Sequence, residues 1–119
     1  MMTAKKLVPE LRTLLRQWFD RALDEEVVYR RAEVLVERLD DDPEYPESDH
    51  RSIAKEVLLQ LDSLNYQWIT RDDVPAMLKF LRTPRGKEKQ GWEEWSRYWD
   101  TVDYEKRKQE LSSNPFYCT

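Results

Sequence analysis

Apolar residues return at every third or fourth position along most of this chain, a spacing that gathers them on one face of a helix and scatters them over both faces of a strand. Over residues 8–23 the set is Leu11, Leu14, Leu15, Trp18, Phe19, Ala22 and Leu23, with Pro9 tolerated in the first turn. Asp24 then has the chemistry of an N-cap for a second helix reaching about Leu39. Its inward stripe is Val28, Ala32, Leu35 and Leu39, widened by Val27 and Val36. So short a join predicts an antiparallel helical hairpin over 8–39.

The stretch 40–48, DDDPEYPES, has two prolines and no periodicity, and reads as a surface loop. A third helix follows over about 49–64, capped by Ser48 or Asp49, with Ile53, Ala54, Val57, Leu58, Leu61 and Leu64 on its apolar side and its end near Asn65. Tyr66, Trp68 and Ile69 form a connector apolar enough to plug the core. Thr70, with Asp73 three positions on, approximates a capping box for a fourth helix over 70–82, and Asp72 and Asp73 complement the helix dipole. Val74, Met77, Leu78 and Leu81 are its buried face, and Pro84 ends it. A fifth helix over 87–100 carries Trp92, Trp95 and Trp99 at helical spacing, and a sixth piece runs over 103–111. The tail SSNPFYCT reads as a polar turn with an apolar hook. Only two glycines interrupt these patterns, and no repeat of fixed period is present. The expectation is a single all-α domain over 1–119, a compact orthogonal or bundle-like arrangement of five to six short helices.

Charge is unevenly placed on a chain whose net charge is only −4. Asp40, Asp41, Asp42, Glu44, Glu47 and Asp49 give residues 40–49 a charge of −6, whereas Lys79, Arg82, Arg85, Lys87 and Lys89 against Glu88 give residues 79–89 a charge of +4. The acidic run alternates carboxylates as calcium loops do, but it has no glycine, and Ser52 and Ala54 stand where a twelfth-position acid would be needed. It reads as a solvated run or a partner-binding patch, with no metal. In the basic segment, Gly86 and helix-terminal N–H groups beside Arg85, Lys87 and Lys89 suit an anion or a protein partner, yet the P-loop pattern is absent because Trp92 and Glu93 follow Gly91. An acidic total argues against nucleic acid, which needs a basic footprint many phosphates long.

Catalytic raw material is sparse. His50 is the sole histidine and has no accompanying partner constellation, and Cys118 is the sole cysteine, next to the chain end. One cysteine fits a reducing, cytoplasmic setting. No apolar run has the length of a signal peptide or a membrane span. No enzyme activity and no cofactor are expected.

Two functions fit these observations. The first is a non-enzymatic interaction or adaptor module that meets a protein partner or its own copy through Trp92, Trp95, Tyr98 and Trp99 with the flanking Arg85, Lys87 and Lys89. Trp92, Trp95 and Trp99 at helical spacing read first as core, but Tyr98 and Trp99 point about 100° apart on a helix, so part of this wide aromatic surface is expected to be exposed. The second is an acidic inhibitor of the immunity type, blocking a basic toxin or nuclease through residues 40–49; it rests on composition alone.

Overall fold

The computed structural model describes residues 3–39 and 42–117, and over these the chain is all-helical, with six α-helices and no strand. The helices are α1 (Ala4–Phe19), α2 (Glu25–Arg38), α3 (Arg51–Asp62), α4 (Val74–Leu81), α5 (Glu88–Asp100) and α6 (Tyr104–Leu111). A single 3-10 turn, Arg71–Asp73, leads into α4. The molecule measures 41 × 31 × 24 Å. None of the described helices is long and apolar enough to cross a membrane.

Helix α3 is the central post. Its apolar side, Ile53, Ala54, Val57, Leu58 and Leu61, is buried, and both arms of the α1–α2 hairpin lean on it more closely than on each other. Leu7, Leu11, Leu14, Leu15 and Trp18 of α1 and Val28, Ala32 and Leu35 of α2 complete that side of the core. Each such side chain stabilises the fold by roughly 1.5–3 kcal/mol on burial, so this three-helix contact is the main source of cohesion. Asp24 caps α2 as its chemistry requires, accepting the Val27 N–H at 3.0 Å.

The hairpin differs from expectation at its turn. Helix α1 stops at Phe19, and Arg21 takes the left-handed conformation at φ 64° to bring the chain round to Asp24. Phe19, the last residue of α1, is 50% exposed because the chain turns away without covering it, and Ala22 lies outside because the helical phase that would have turned it inward has ended. At the other end α1 begins at Ala4, which puts Pro9 inside the helix rather than in its first turn.

Beyond α3, the connector plugs the core with Ile69, which is buried, while Trp68 is half-buried at φ 56° and Tyr66 swings out to 62% exposure. Because a 3-10 turn precedes α4, that helix starts at Val74 rather than Thr70, and it is covered on two sides. Val74, Met77 and Leu81 face α1 and α3, while Phe80, outside the expected stripe, faces α5. Helix α6 has no buried residue of its own. It and the tail are held from outside. Tyr117 is buried, donates its hydroxyl to the Ile69 carbonyl at 2.6 Å and stacks on Trp68, while Phe116 meets Tyr29 of α2 edge-on.

Candidate functional site

The aromatic helix docks through its rings. Trp95, 4% exposed, stacks on Phe80 at 4.4 Å between centroids, and Trp92 and Trp99 stand edge-on to Phe80 and Trp95. Buried indole nitrogens need acceptors, and α3 supplies them to Trp92 and Trp95, whereas the buried Trp99 Nε1 has none among the described residues. The Trp92 Nε1–H donates to Ser52 Oγ at 3.1 Å, and the Trp95 Nε1–H donates to the Glu56 carboxylate at 3.0 Å. Trp95 thus belongs to the core, while Trp92, Tyr98 and Trp99 are half-buried with their other edges toward solvent.

Tyr98 leads to the most polar point of the interior. Its hydroxyl donates to Asp73, which is wholly buried and also accepts the Thr70 N–H at 2.8 Å and both terminal nitrogens of Arg107, each at 2.7 Å. Arg107 donates further to the Trp68 carbonyl at 3.0 Å. Burial, and then the hydrogen bond to Asp73, push the Tyr98 hydroxyl well above the ordinary tyrosine range. A phenol so held is a poor base or nucleophile at neutral pH. The carboxylate's acceptor sites are spent on the chain itself, so this triad ties together α5, α6, the connector and the start of α4. Sequence spacing shows Asp73 as the capping-box partner of Thr70 and a dipole partner, a role the Thr70 N–H bond bears out, but not as an ion-pair partner; Arg107 carries no local signal.

The basic turn is closed by its own carboxylate. Gly86 sits at φ 89°, a conformation that glycine adopts without penalty, and its N–H donates to the Glu88 side chain at 2.7 Å. The same carboxylate lies 3.3 Å from His50 Nδ1. Burial would raise the Glu88 pKa, but the hydrogen bonds with His50 and Gly86 outweigh it and hold the group below the ordinary range. Glu88 therefore takes the anion's place at the start of α5, and His50 pins the helix to α3. Arg85, Lys87 and Lys89 are all exposed but do not converge: Lys87 shares a groove with Lys79 and Arg82, and Lys89 shares another with Trp92.

Much of the acidic loop is paired too. Asp42 meets Lys55 at 3.3 Å and accepts the Tyr45 hydroxyl at 3.1 Å, while Lys55 also donates to the Pro43 carbonyl at 2.6 Å. The cap of α3 differs from expectation: His50, not Ser48 or Asp49, stands at the N-cap and its side chain makes no cap bond. Asp49, one residue before it, accepts the Arg51 N–H at 2.9 Å and two bonds from the Arg51 guanidinium, at 3.0 and 2.7 Å. Those bonds hold the Asp49 carboxyl down at about 2. Glu44 and Glu47 are left exposed. Asp40, Asp41 and Cys118 lie outside the described residues. Among the described residues no three His, Cys, Asp or Glu side chains are grouped so as to hold a metal ion.

With its rings turned in, α5 presents a charged outer face. Lys89, Trp92, Glu93, Ser96, Arg97 and Asp100 line a shallow groove there of about 640 Å³, closed on one side by Glu47 and Ser48. Among the described residues none of Lys89, Glu93, Arg97 and Asp100 has an ion-pair partner.

No protein-family model, curated protein or solved structure matches the chain.

Proposed function

We propose that the protein is a non-enzymatic interaction module of the adaptor kind, acting in a reducing cytoplasmic setting and associating with its own copy through the outer face of α5. One observation carries the reading: the four unpaired charges of that face alternate in sign along the helix, as Lys89, Glu93, Arg97 and Asp100. Laid antiparallel against a second α5, Glu93 falls opposite Arg97 and Lys89 opposite Asp100, within one residue of a common register. Each pair occurs twice across the two-fold axis, as a self-complementary interface requires. Trp92, half-buried against Phe80, borders this row and closes one edge of the contact.

The closed state of the ionisable groups supports the non-enzymatic part. Asp73, Arg107 and Tyr98 are bonded to one another, and His50 is paired with Glu88. A single helix of this length gives a contact below the size of stable dimers, roughly 1,200 Å², so association of micromolar or weaker affinity is expected.

Sedimentation velocity over a concentration series tests this. The mass should rise from that of one 14.5 kDa chain toward two. Arg97→Glu and Glu93→Arg should each abolish the rise, and the double exchange should restore it. A mass that stays at one chain up to about 1 mM, where even about 4 kcal/mol of association shows, would exclude self-association by this face.

A further inference from the structure

Helices α1 and α2 both rest on α3 and part above it, leaving an open groove of about 390 Å³ on the outside of the hairpin. Its floor is apolar. Leu14 and Leu35 form the base, and Val34 stands at 46% exposure among them, on the opposite flank of α2 from the buried Val28 and Ala32. Its α2 wall is basic, lined by Arg30, Arg31 and Arg38, while the α1 wall presents Thr13, Gln17 and the single acid Glu10. The groove is locally positive although the chain carries a net charge of −4.

The arginines are lightly held. Arg30 pairs with Glu26, both exposed to solvent, and Arg31 reaches Gln17 at 3.4 Å, while Arg38 has no ion-pair partner among the described residues. Exposed pairs of this kind contribute little and leave the guanidinium forks free to exchange partners. From Val27 to Arg38 the groove wall runs roughly 16 Å at the rise of an α-helix, the length of three turns of a docked helix.

We infer that this groove binds an acidic amphipathic helix of a partner protein, its apolar stripe centred on the exposed Val34 above the buried Leu14 and Leu35, and its carboxylates against Arg30, Arg31 and Arg38. Helix-in-groove recognition needs this combination of an apolar floor and a charged rim. A second copy of the chain does not suit the groove, because a two-fold axis through it would set arginines against arginines. A nucleic acid would leave the apolar floor unused and would meet only three cations. The site shares no residue with the outer face of α5, so occupancy here is independent of self-association.

Fluorescence anisotropy with two labelled synthetic helices tests the inference. Both carry leucines at the i, i+3, i+4 and i+7 positions; one has glutamates and the other lysines at the flanking positions. The glutamate helix should bind at least about ten-fold more tightly, a margin that shrinks as salt screens it. Val34→Asp, a change at an exposed position that leaves folding intact by circular dichroism, should weaken it by roughly ten-fold. The pair Arg31→Glu with Arg38→Glu should invert the preference between the two helices. Equal binding of both helices, binding of neither, indifference to Val34→Asp, or tighter binding of a short DNA duplex would each overturn the assignment. Sedimentation of the same variants keeps the two readings apart, because changes in the groove should leave the mass series of the α5 face as it was.

Discussion

Removing the Arg107 guanidinium should be among the most damaging single changes available in this protein. Arg107→Met keeps an unbranched stem of similar length and deletes two hydrogen bonds to Asp73 and one to the Trp68 carbonyl. Asp73 has no exposure to water and would retain only the Thr70 N–H and the Tyr98 hydroxyl. Stripping one partner from a buried ion pair costs about 3–5 kcal/mol, because the remaining charge has neither water nor a counter-ion. A domain of this size has about 5–15 kcal/mol in total. At about 3–6 °C per kcal/mol for a chain between the small and mid-sized classes, the midpoint should fall by roughly 10–25 °C.

Two companions separate charge from packing. Arg107→Lys keeps a cation but loses the fork, and should cost less than Arg107→Met. Asp73→Asn in the Arg107→Met background removes the stranded charge and should recover about 1–2 kcal/mol, since deleting both members of a buried pair is often near neutral. Urea unfolding followed by tryptophan fluorescence measures all three, and hydrogen exchange should show α6 opening first, because that helix buries no residue of its own. A loss below about 1 kcal/mol in Arg107→Met, or strict additivity of the two substitutions, would refute the account, since coupled neighbours differ from additivity by about 0.5–3 kcal/mol.

Gly91→Ala tests the α4–α5 seam, where the added Cβ would fall 2.5 Å from Thr83 Oγ1 and 2.6 Å from its Cγ2. The helix propensity gained, about 1 kcal/mol, is outweighed by overpacking of about 1–3 kcal/mol against a buried β-branched side chain; thermal melts should show net destabilisation, relieved in part by Thr83→Ala. Acid titration should show the Asp49 bonds to Arg51 contributing fully above the ordinary carboxylate value of 3.8 and vanishing as pH falls through about 2. Asp49→Asn should flatten the stability curve in that window, and an unchanged curve would argue against the pairing. At high pH the sign reverses, because burial raises both Tyr98 and Tyr117 above 10. Their contribution is complete below 10 and lost as pH rises through the folded values, so a late step in tyrosinate absorbance should coincide with loss of helix signal. A titration in which every tyrosine ionises with the helix signal intact would contradict it.

The helices were readable in the sequence because each needs only its own residues: the three-and-four spacing, Asp24 as a cap, and Pro84 as a stop are local facts. The misplacements have a common cause in long-range geometry. Phe19 ends α1 uncovered because the chain turns back through a left-handed Arg21 without packing over it, and Phe80 is buried because α5 covers a second side of α4. Val34 reads as ordinary surface until the hairpin is seen to part over α3. Asp73 has a local signature as a helix-start carboxylate, and that role is real; but its deeper one depends on Arg107, thirty-four positions away, and no spacing rule connects them.

Helix α5 shows the same division within a single element. Its aromatic residues are the loudest feature of the sequence, and large rings at helical spacing are drawn into a core by the area they remove from water. Once Trp95 lies on Phe80 and the indole nitrogens reach Ser52 and Glu56, the helix has one orientation only. That orientation leaves Lys89, Glu93, Arg97 and Asp100 in one outward row. The contact surface we propose is therefore oriented by the rings, and only an edge of Trp92 reaches it. Substituting Trp95 would disturb association by unseating the helix, whereas exchanging Glu93 and Arg97 acts on the contact alone, and only the second kind of change measures what the surface does.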